Sequence, residues 1–362
     1  MKAKTFSVAT TFNLPVSAAL TLQGFEHDPN EQNPVLIQLR DAVPKIDPKY
    51  IFRKRLMSDM NIWLRFNKEP IYLFGPTGCG KSSLVTQMAA RLGIPLFRIT
   101  GNADLEIMEV LGHYTIGEHG TEFQYGPATM AAKNGCWFLF DEFDRTDPDR
   151  MVGLNGVMEK SSSFTLAGKG GEVVTPKPGF KIFATGNTNL SGDGTGNYLT
   201  AQIHDKSVLE RFGMALEVPF ADEEDRLLIR EAMLAVNDKD SLLEYWFDQE
   251  DMKVSINGHV KQGQAITRED FITGVMQLRD MIRKQSRDCG NLEASALERT
   301  MSVRSMERWV GYCVAYIGAV KDGISPLHYA MERSLTTLSS ASTKIAIHGM
   351  VTAVFGVPHK VA

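Results

Sequence analysis

The sequence predicts an α/β fold, in which a parallel sheet flanked by helices is followed by a small all-helical domain. From Ile71 onward, short apolar runs alternate with helical patterns, which is typical of a parallel sheet. After Phe220 no further strand pattern is convincing, and helical periodicity dominates. We therefore predict an N-terminal arm or loop over residues 1–45, an α/β core over residues 46–220, and a helical domain with a C-terminal tail over residues 221–362.

Five apolar runs are predicted to form the strands of the sheet. Each is four or five residues long, which is an ordinary length for a strand. The predicted strands are Ile71–Phe74, Pro95–Ile99, Trp137–Phe140, Lys181–Ala184 and Ala215–Val218.

Three helices are predicted after the boundary. Thr267 and Asp270 form a capping-box pattern that opens the first helix. The dipeptide Ser325-Pro326 opens the third as cap and first turn. Apolar stripes at helical spacing identify the first two helices. The stripes are Phe271, Val275, Leu278 and Ile282, and then Met306, Trp309, Val310, Cys313 and Ile317.

The bulk composition excludes several classes of protein. Of the 362 residues, 43% are hydrophobic and 23% are charged, which is ordinary for a globular protein. A net charge of −4 provides no basic field for nucleic acid. None of the four cysteines or eight histidines stands in a transition-metal spacing, and no apolar run approaches the roughly 18 residues of a membrane span. We therefore expect a soluble, cytoplasmic protein.

A glycine-rich segment follows the first predicted strand. The residues Gly75-Pro76-Thr77-Gly78-Cys79-Gly80-Lys81-Ser82 match the phosphate-loop pattern GxxxxGK[ST] in full, and the helical pattern Ser83–Leu92 follows. Glycines let backbone N–H groups converge on phosphate oxygens. Lys81 is expected to reach the β and γ phosphates, and the Ser82 hydroxyl to bind Mg²⁺. We predict that Gly75–Ser83 binds ATP with Mg²⁺, and that Cys79 is a small spacer, with a reactive thiol as the alternative.

Two adjacent carboxylates follow the strand Trp137–Phe140. An apolar strand that ends in an Asp-Glu pair is the Walker B pattern of nucleotide hydrolases. Asp141 is expected to hold the Mg²⁺ ion, and Glu142 to orient and polarise the attacking water. The alternative is a surface acidic pair after a buried strand. The phosphate loop upstream favours the hydrolase.

Three further polar residues are candidates because of where they stand. Asn187 follows the predicted strand Lys181–Ala184, where it could contact the γ-phosphate or the water. Arg211 precedes the last predicted strand, and Arg304 begins a helix of the second domain. Taken one at a time, they could equally be a turn residue and two structural arginines.

Together these motifs resemble the AAA+ ATPases, specifically the MoxR branch, from about Ile46 to Phe220 and more weakly beyond. The resemblance implies a P-loop NTPase core followed by a helical lid. It implies that Asn187 is sensor 1, that Arg304 is sensor 2 in the lid, and that Arg211 is an arginine finger acting on a neighbouring subunit's ATP. It therefore implies a homo-oligomer, typically a hexameric ring.

Further segments are similar to particular members of the branch. Gly120–Ala128 resembles the helix-2 insert, and Ser163–Phe180 resembles the hairpin before sensor 1, with a glycine turn between two strand patterns. In the family such loops contact partners, and plain surface loops are the alternative. Ile46–Phe52 and Gly192–Tyr198, the latter followed by Thr200-Ala201-Gln202, resemble the CobS-like ATPase subunits of aerobic cobaltochelatases.

These resemblances predict a Mg²⁺-dependent ATPase motor that remodels a partner protein complex. The sharpest version is the ATPase subunit of a cobaltochelatase-like metal insertion machine, acting with a chelatase partner subunit. The broader alternative is a MoxR-type chaperone that acts with a von Willebrand A domain protein. A nucleic-acid motor is disfavoured by the net charge, and a nucleotide-gated scaffold that barely hydrolyses is disfavoured by Glu142.

Overall fold

The computed structural model describes residues 1–66, 69–117, 120–159, 163–193, 198–221, 226–227, 254–256, 259–261, 268–287, 296–316 and 324–356. The chain divides into two units, Met1–Pro219 and Phe220–Ala362.

The first 45 residues contain regular structure, which differs from the arm or loop predicted for them. Strand β1 (Lys2–Ser7) is followed by helix α1 (Val8–Phe12), strand β2 (Thr21–Glu26) and helix α2 (Pro34–Asp41). The two strands pair in antiparallel register. Most of β1 is exposed, so its sequence lacks the alternation of apolar and polar residues that predicts a strand.

Helices and strands alternate through the rest of the first unit. In chain order they are α3 (Lys54–Phe66), β3 (Ile71–Phe74), α4 (Lys81–Leu92), β4 (Leu96–Thr100), α5 (Ile107–Leu111), β5 (Gly112–Gly117), β6 (Gly120–Tyr125), α6 (Pro127–Asn134), β7 (Trp137–Asp141), α7 (Asn155–Met158), β8 (Phe164–Leu166), β9 (Glu172–Val174), β10 (Lys181–Gly186), α8 (Lys206–Leu209) and β11 (Met214–Glu217).

The five predicted strands form one parallel sheet in the order β11–β3–β10–β7–β4. Their bounds differ from the predicted runs by at most two residues. Strand β7 is buried along its whole length, as expected for an inner strand covered on both faces. Because β10 lies between β3 and β7, the carboxyl ends of these three strands are neighbours at one edge. The predicted α/β fold class is confirmed, and this edge carries the candidate site.

Two further antiparallel hairpins belong to the first unit. Strands β5 and β6 pair with each other, so the predicted insert Gly120–Ala128 supplies only the second strand of its hairpin and the start of α6. Strands β8 and β9 pair within Ser163–Phe180, which confirms the hairpin predicted there. The hairpins are linked because the Tyr125 hydroxyl and the Lys133 ammonium both bind the Glu172 carboxylate, each at 2.8 Å.

The second unit contains a strand pair that the sequence did not predict. Strand β12 (Val254–Ile256) pairs antiparallel with β13 (His259–Lys261). Each strand has only three residues, and a run this short carries no readable periodicity. The expectation that no strand follows Phe220 is therefore wrong.

The helices of the second unit bury the predicted stripes. They are α9 (Arg268–Gln285), α10 (Val303–Ala315), α11 (Pro326–Met331), a π-helical turn (Glu332–Thr336) and α12 (Ala341–Phe355). Eight of the nine stripe residues lie in one core cluster. The ninth, Ile317, and the capping residue Thr267 lie outside the described residues. Among the described helices, none combines the length and apolar character needed to cross a bilayer.

Candidate nucleotide site

The phosphate loop joins the end of β3 to the start of α4, and its backbone requires glycine at particular positions. Gly75 has a φ of 147°, and a Cβ there would lie 2.3 Å from the Val218 carbonyl oxygen. Gly80 has a φ of 94° and forms the N-cap of α4. L-residues rarely adopt these angles. The loop therefore has the curvature that directs backbone N–H groups and the helix N-terminus toward an anion.

Lys81 and Asn187, which are 106 residues apart in the chain, meet above this loop. The Lys81 ammonium donates to the Asn187 Oδ1 at 3.1 Å and to the Gly75 carbonyl at 2.7 Å. The Thr77 hydroxyl donates to the same Asn187 oxygen at 3.3 Å. This contact follows from the strand order, because β10, which precedes Asn187, lies beside β3. Sequence reasoning named both residues, and the structure brings them together.

Asp141 ends β7 next to the first turn of α4. The Ser82 hydroxyl donates to its Oδ1 at 2.5 Å, and the Thr185 hydroxyl donates to the same oxygen. A hydroxyl and a carboxylate are the hard oxygen donors that Mg²⁺ prefers. The described residues include no cluster of three His, Cys, Asp or Glu side chains, but nucleotide-bound Mg²⁺ takes its other ligands from phosphate and water. Ser82 and Asp141 therefore fit the ion.

Arg98 is a site residue that sequence reasoning missed. It lies in β4, the neighbour of β7, and its guanidinium pairs with the Asp141 Oδ2. Asp141 thus has one oxygen beside Ser82 and Thr185 and the other beside a cation. The signal was a single charged residue inside an otherwise apolar predicted strand.

Glu142 has an unusual backbone conformation. Its φ of 55° places it in the left-handed region, which costs about 1 kcal/mol or more for a residue with a Cβ. Its N–H donates to the Thr185 hydroxyl at 3.2 Å, and its Oε2 accepts from the Arg145 guanidinium at 2.5 Å. Arg145 also donates through Nε to the Thr200 hydroxyl at 3.1 Å. The water-activating candidate is thus held by partners that sequence reasoning did not name.

Asp144 stabilises the turn that carries Asn187. Its Oδ2 accepts from the backbone N–H groups of Asn187 at 2.7 Å and Thr188 at 2.9 Å. The side chain is fully buried, and burial raises the pKa of its carboxyl against the opposing effect of these hydrogen bonds. A buried carboxylate that accepts two backbone hydrogen bonds fixes the position of Asn187 relative to β7.

The Cys79 thiol is buried inside the phosphate loop. Burial raises its pKa, although the Lys81 ammonium acts in the opposite direction. A reactive cysteine needs a lowered pKa. The structure therefore favours the interpretation of Cys79 as a small spacer.

The two candidate arginines belong to different units of the chain. Arg211 follows α8, where its guanidinium donates to the Ser207 carbonyl and lies 3.7 Å from the Glu159 carboxylate. Its Nε is buried and has no hydrogen-bond partner among the described residues. Arg304 is exposed, at the second position of α10 in the second unit. Neither placement tests the role that the resemblance implies.

His204 stacks on Phe143, the residue that follows Glu142, with a ring-centroid distance of 4.9 Å. It is 4% exposed, and neither ring nitrogen has a partner among the described residues. Burial lowers its pKa to about 4, against the opposing effect of the Asp205 and Asp147 carboxylates. The neutral ring is therefore the folded form at neutral pH.

This predicts acid sensitivity. Below about pH 6.5, His204 is protonated in the unfolded chain but stays neutral in the folded protein. The free energy of unfolding therefore falls by about 1.4 kcal/mol per pH unit toward pH 4. Phenylalanine at this position keeps the ring stack but cannot titrate. We measure the free energy of unfolding by urea denaturation at pH 7 and at pH 5. Between these two values, His204→Phe should lose about 2 kcal/mol less of this free energy than wild type does. Parallel pH profiles for the two proteins would show that His204 does not titrate as described.

The chain is similar to known proteins over part of its length. A model of the AAA domain (dynein-related subfamily) matches residues 70–206. The aerobic cobaltochelatase subunit CobS of Sinorhizobium sp is 30% identical over 206 residues, which cover 56% of this chain and 61% of that protein. The denitrification regulatory protein NirQ of Stutzerimonas stutzeri is 31% identical over 166 residues, 46% of this chain and 58% of that protein.

A third relative is protein CbbQ of Hydrogenophilus thermoluteolus, which is 36% identical over 121 residues, 33% of this chain and 45% of that protein. The matches thus span between about half and three fifths of these relatives. The sheet, the phosphate loop and the matched domain define an AAA ATPase fold over residues 70–206. Residues 70–206 therefore carry an AAA domain, and parts of the chain are similar to CobS, NirQ and CbbQ.

Proposed function

We propose that this chain hydrolyses ATP with Mg²⁺ as an AAA+ motor subunit. The observation that carries the proposal is the meeting of Lys81 with Asn187, and of Ser82 with Asp141, at the carboxyl ends of three adjacent strands. A lone glycine turn or a surface acidic pair would not bring these groups together.

Each residue has a role in this proposal. The phosphate loop and Lys81 bind the β and γ phosphates, and Ser82 and Asp141 hold Mg²⁺, which when bound neutralises charge on the phosphate oxygens. Glu142 accepts the proton of the attacking water. Asn187 orients the γ-phosphate or that water through the oxygen and nitrogen of its amide. Arg304 is proposed as a second γ-phosphate sensor and Arg211 as a finger in a neighbouring subunit.

Removing the phosphate-loop lysine should weaken nucleotide binding. We expect Lys81→Ala to weaken ATP binding about 10–100-fold, because one or two charge-assisted hydrogen bonds are lost. Equilibrium binding of a fluorescent ATP analogue measures this. Lys177→Ala removes an exposed lysine elsewhere in the same unit and should bind as wild type does. Equal affinity of Lys81→Ala and wild type would contradict the proposed phosphate site.

The motor is proposed to work as a homo-oligomer, a hexameric ring, that remodels a partner complex. Kinship with a cobaltochelatase subunit supports the version in which this chain drives a chelatase-like metal insertion machine. The broader version is a MoxR-type chaperone with a von Willebrand A domain partner. The two versions differ in the partner protein that should co-purify with a ring trapped in its ATP-bound form.

The Glu142→Gln protein with ATP should form a stable ring, and mass measurement of the complex with identification of co-purifying proteins tests this. A tetrapyrrole-binding partner would support the chelatase version. A von Willebrand A domain partner, found without a tetrapyrrole-binding partner, would support the chaperone version. A protein that stays monomeric with bound ATP would contradict the proposed ring.

A further inference from the structure

The short segment that contains Tyr198, Thr200 and Gln202 contacts both halves of the site. The Tyr198 hydroxyl accepts a hydrogen bond from the Thr77 backbone N–H at 3.2 Å. Two residues later, the Thr200 hydroxyl accepts from the Arg145 Nε at 3.1 Å. Further on, the Gln202 N–H donates to the Asp144 carbonyl at 2.7 Å. None of these residues of the segment has a role in the hydrolysis proposed above.

Tyr198 contacts the phosphate loop beside Lys81 and Asn187. Its contact is with Thr77, whose side chain binds the Asn187 Oδ1 at 3.3 Å, and the same oxygen accepts from Lys81 at 3.1 Å. Lys81 and Asn187 are the groups expected to meet the γ-phosphate. The phenol hydroxyl therefore lies beside the groups that the γ-phosphate, present in ATP and absent from ADP, would meet. A hydroxyl can donate to a phosphate oxygen.

Thr200 lies at the side of the site that activates water. It contacts Arg145, and the same guanidinium donates to the Glu142 carboxylate at 2.5 Å. Arg145 thus bridges the segment and the carboxylate. The bridge matters because Glu142 itself is half-exposed and has a left-handed backbone. Its side-chain position therefore depends on its partners.

We propose that Tyr198 contacts the γ-phosphate of bound ATP, and that Thr200, acting through Arg145, positions Glu142 in response. Only Leu199 separates the two residues, so a displacement of one is carried directly to the other. Tyr198 is a nucleotide-binding residue in this scheme, whereas Thr200 and Arg145 are positioning residues for Glu142. The coupling rests on the proposed ATPase function, and the contact of Tyr198 with the nucleotide does not require turnover.

The first experiment measures binding alone. Tyr198→Phe removes one hydroxyl and should weaken the binding of the slowly hydrolysed analogue ATPγS about tenfold, the usual size of one hydrogen bond to a charged group. The binding of ADP should stay within about twofold of wild type. The matched control is Leu199→Ala, because Leu199 is 87% exposed in the same segment; it should bind both nucleotides as wild type does. An equal loss for both nucleotides, or no loss for ATPγS, would overturn the assignment.

The second experiment measures coupling. Tyr198→Phe and Thr200→Val should each lower kcat about tenfold at saturating ATP, because Glu142 is misplaced. The double variant should fall no further than the lower single variant, since both changes break one pathway. Thr200→Ser keeps the hydroxyl and should therefore have the kcat of wild type. Losses that multiply in the double variant would show independent effects and overturn the coupling.

These arms separate the two proposals. A wild-type protein that binds ATPγS but shows no turnover would contradict the proposed ATPase function, while the ratio of ATPγS to ADP affinity in Tyr198→Phe would still decide whether Tyr198 meets the γ-phosphate.

Discussion

Replacing Glu142 by glutamine is expected to lower kcat for ATP hydrolysis about 10²–10⁴-fold, the usual contribution of a positioned general base. Glutamine has nearly the same shape but cannot accept the proton of the attacking water. The affinity for ATP should remain close to that of wild type, because the phosphate loop, Lys81 and the Ser82–Asp141 pair are untouched. Steady-state hydrolysis and equilibrium ATP binding, measured on the same preparations, separate the two effects.

The matched control is Glu122→Gln, which makes the same chemical change at an exposed position in β6. It should leave kcat unchanged. If Glu142→Gln turned over as fast as wild type, water activation would belong to another group, and the chain would be better described as a nucleotide-gated scaffold. Loss of ATP binding in Glu142→Gln would instead show that the glutamate supports the phosphate loop.

Replacing Arg211 by alanine is expected to lower kcat about 10³–10⁵-fold, which is the range for removal of an arginine finger. In its own subunit Arg211 contacts Ser207 and Glu159, and among the described residues its buried Nε lacks a partner. A finger that acts on the next subunit leaves ATP binding intact. Arg40→Ala, which removes a partly exposed arginine of α2, is the control and should keep full turnover.

Mixing tests whether the finger acts between subunits. Arg211→Ala has an intact phosphate loop, and Lys81→Ala has an intact finger, so mixed rings should regain part of the activity that each inactive variant lacks alone. Hydrolysis measured over a series of mixing ratios should pass through a maximum. A flat line at every ratio would argue against a site shared between neighbouring subunits.

Much of the α/β core could be predicted from the sequence, because its signals are local. Five apolar runs became five strands of one sheet, and their bounds moved by two residues at most. The sequence failed to predict strands where a local pattern is absent. Strand β1 is exposed, and β12 and β13 have only three residues each. Such strands are stabilised by pairing with a partner, which a periodic pattern within one strand does not record.

The candidate site divides in the same way. Lys81, Ser82, Asp141 and Glu142 stand in contiguous motifs whose spacing already carries the chemistry. The residues that contact and position these four do not stand in such motifs. Arg98 reaches Asp141 across two adjacent strands, and Thr200 reaches Arg145 from a segment 55 residues further along the chain.

By itself, then, the sequence determined the parallel sheet, the phosphate loop and the pair of carboxylates, because each is encoded in a few consecutive residues. The tertiary structure alone decided which groups meet. Strand β10 lies between β3 and β7, so Asn187 contacts Lys81 and Thr185 contacts Asp141. Contacts between residues that are 44 and 106 positions apart depend on strand order and on loop paths, and neither leaves a local pattern in the chain.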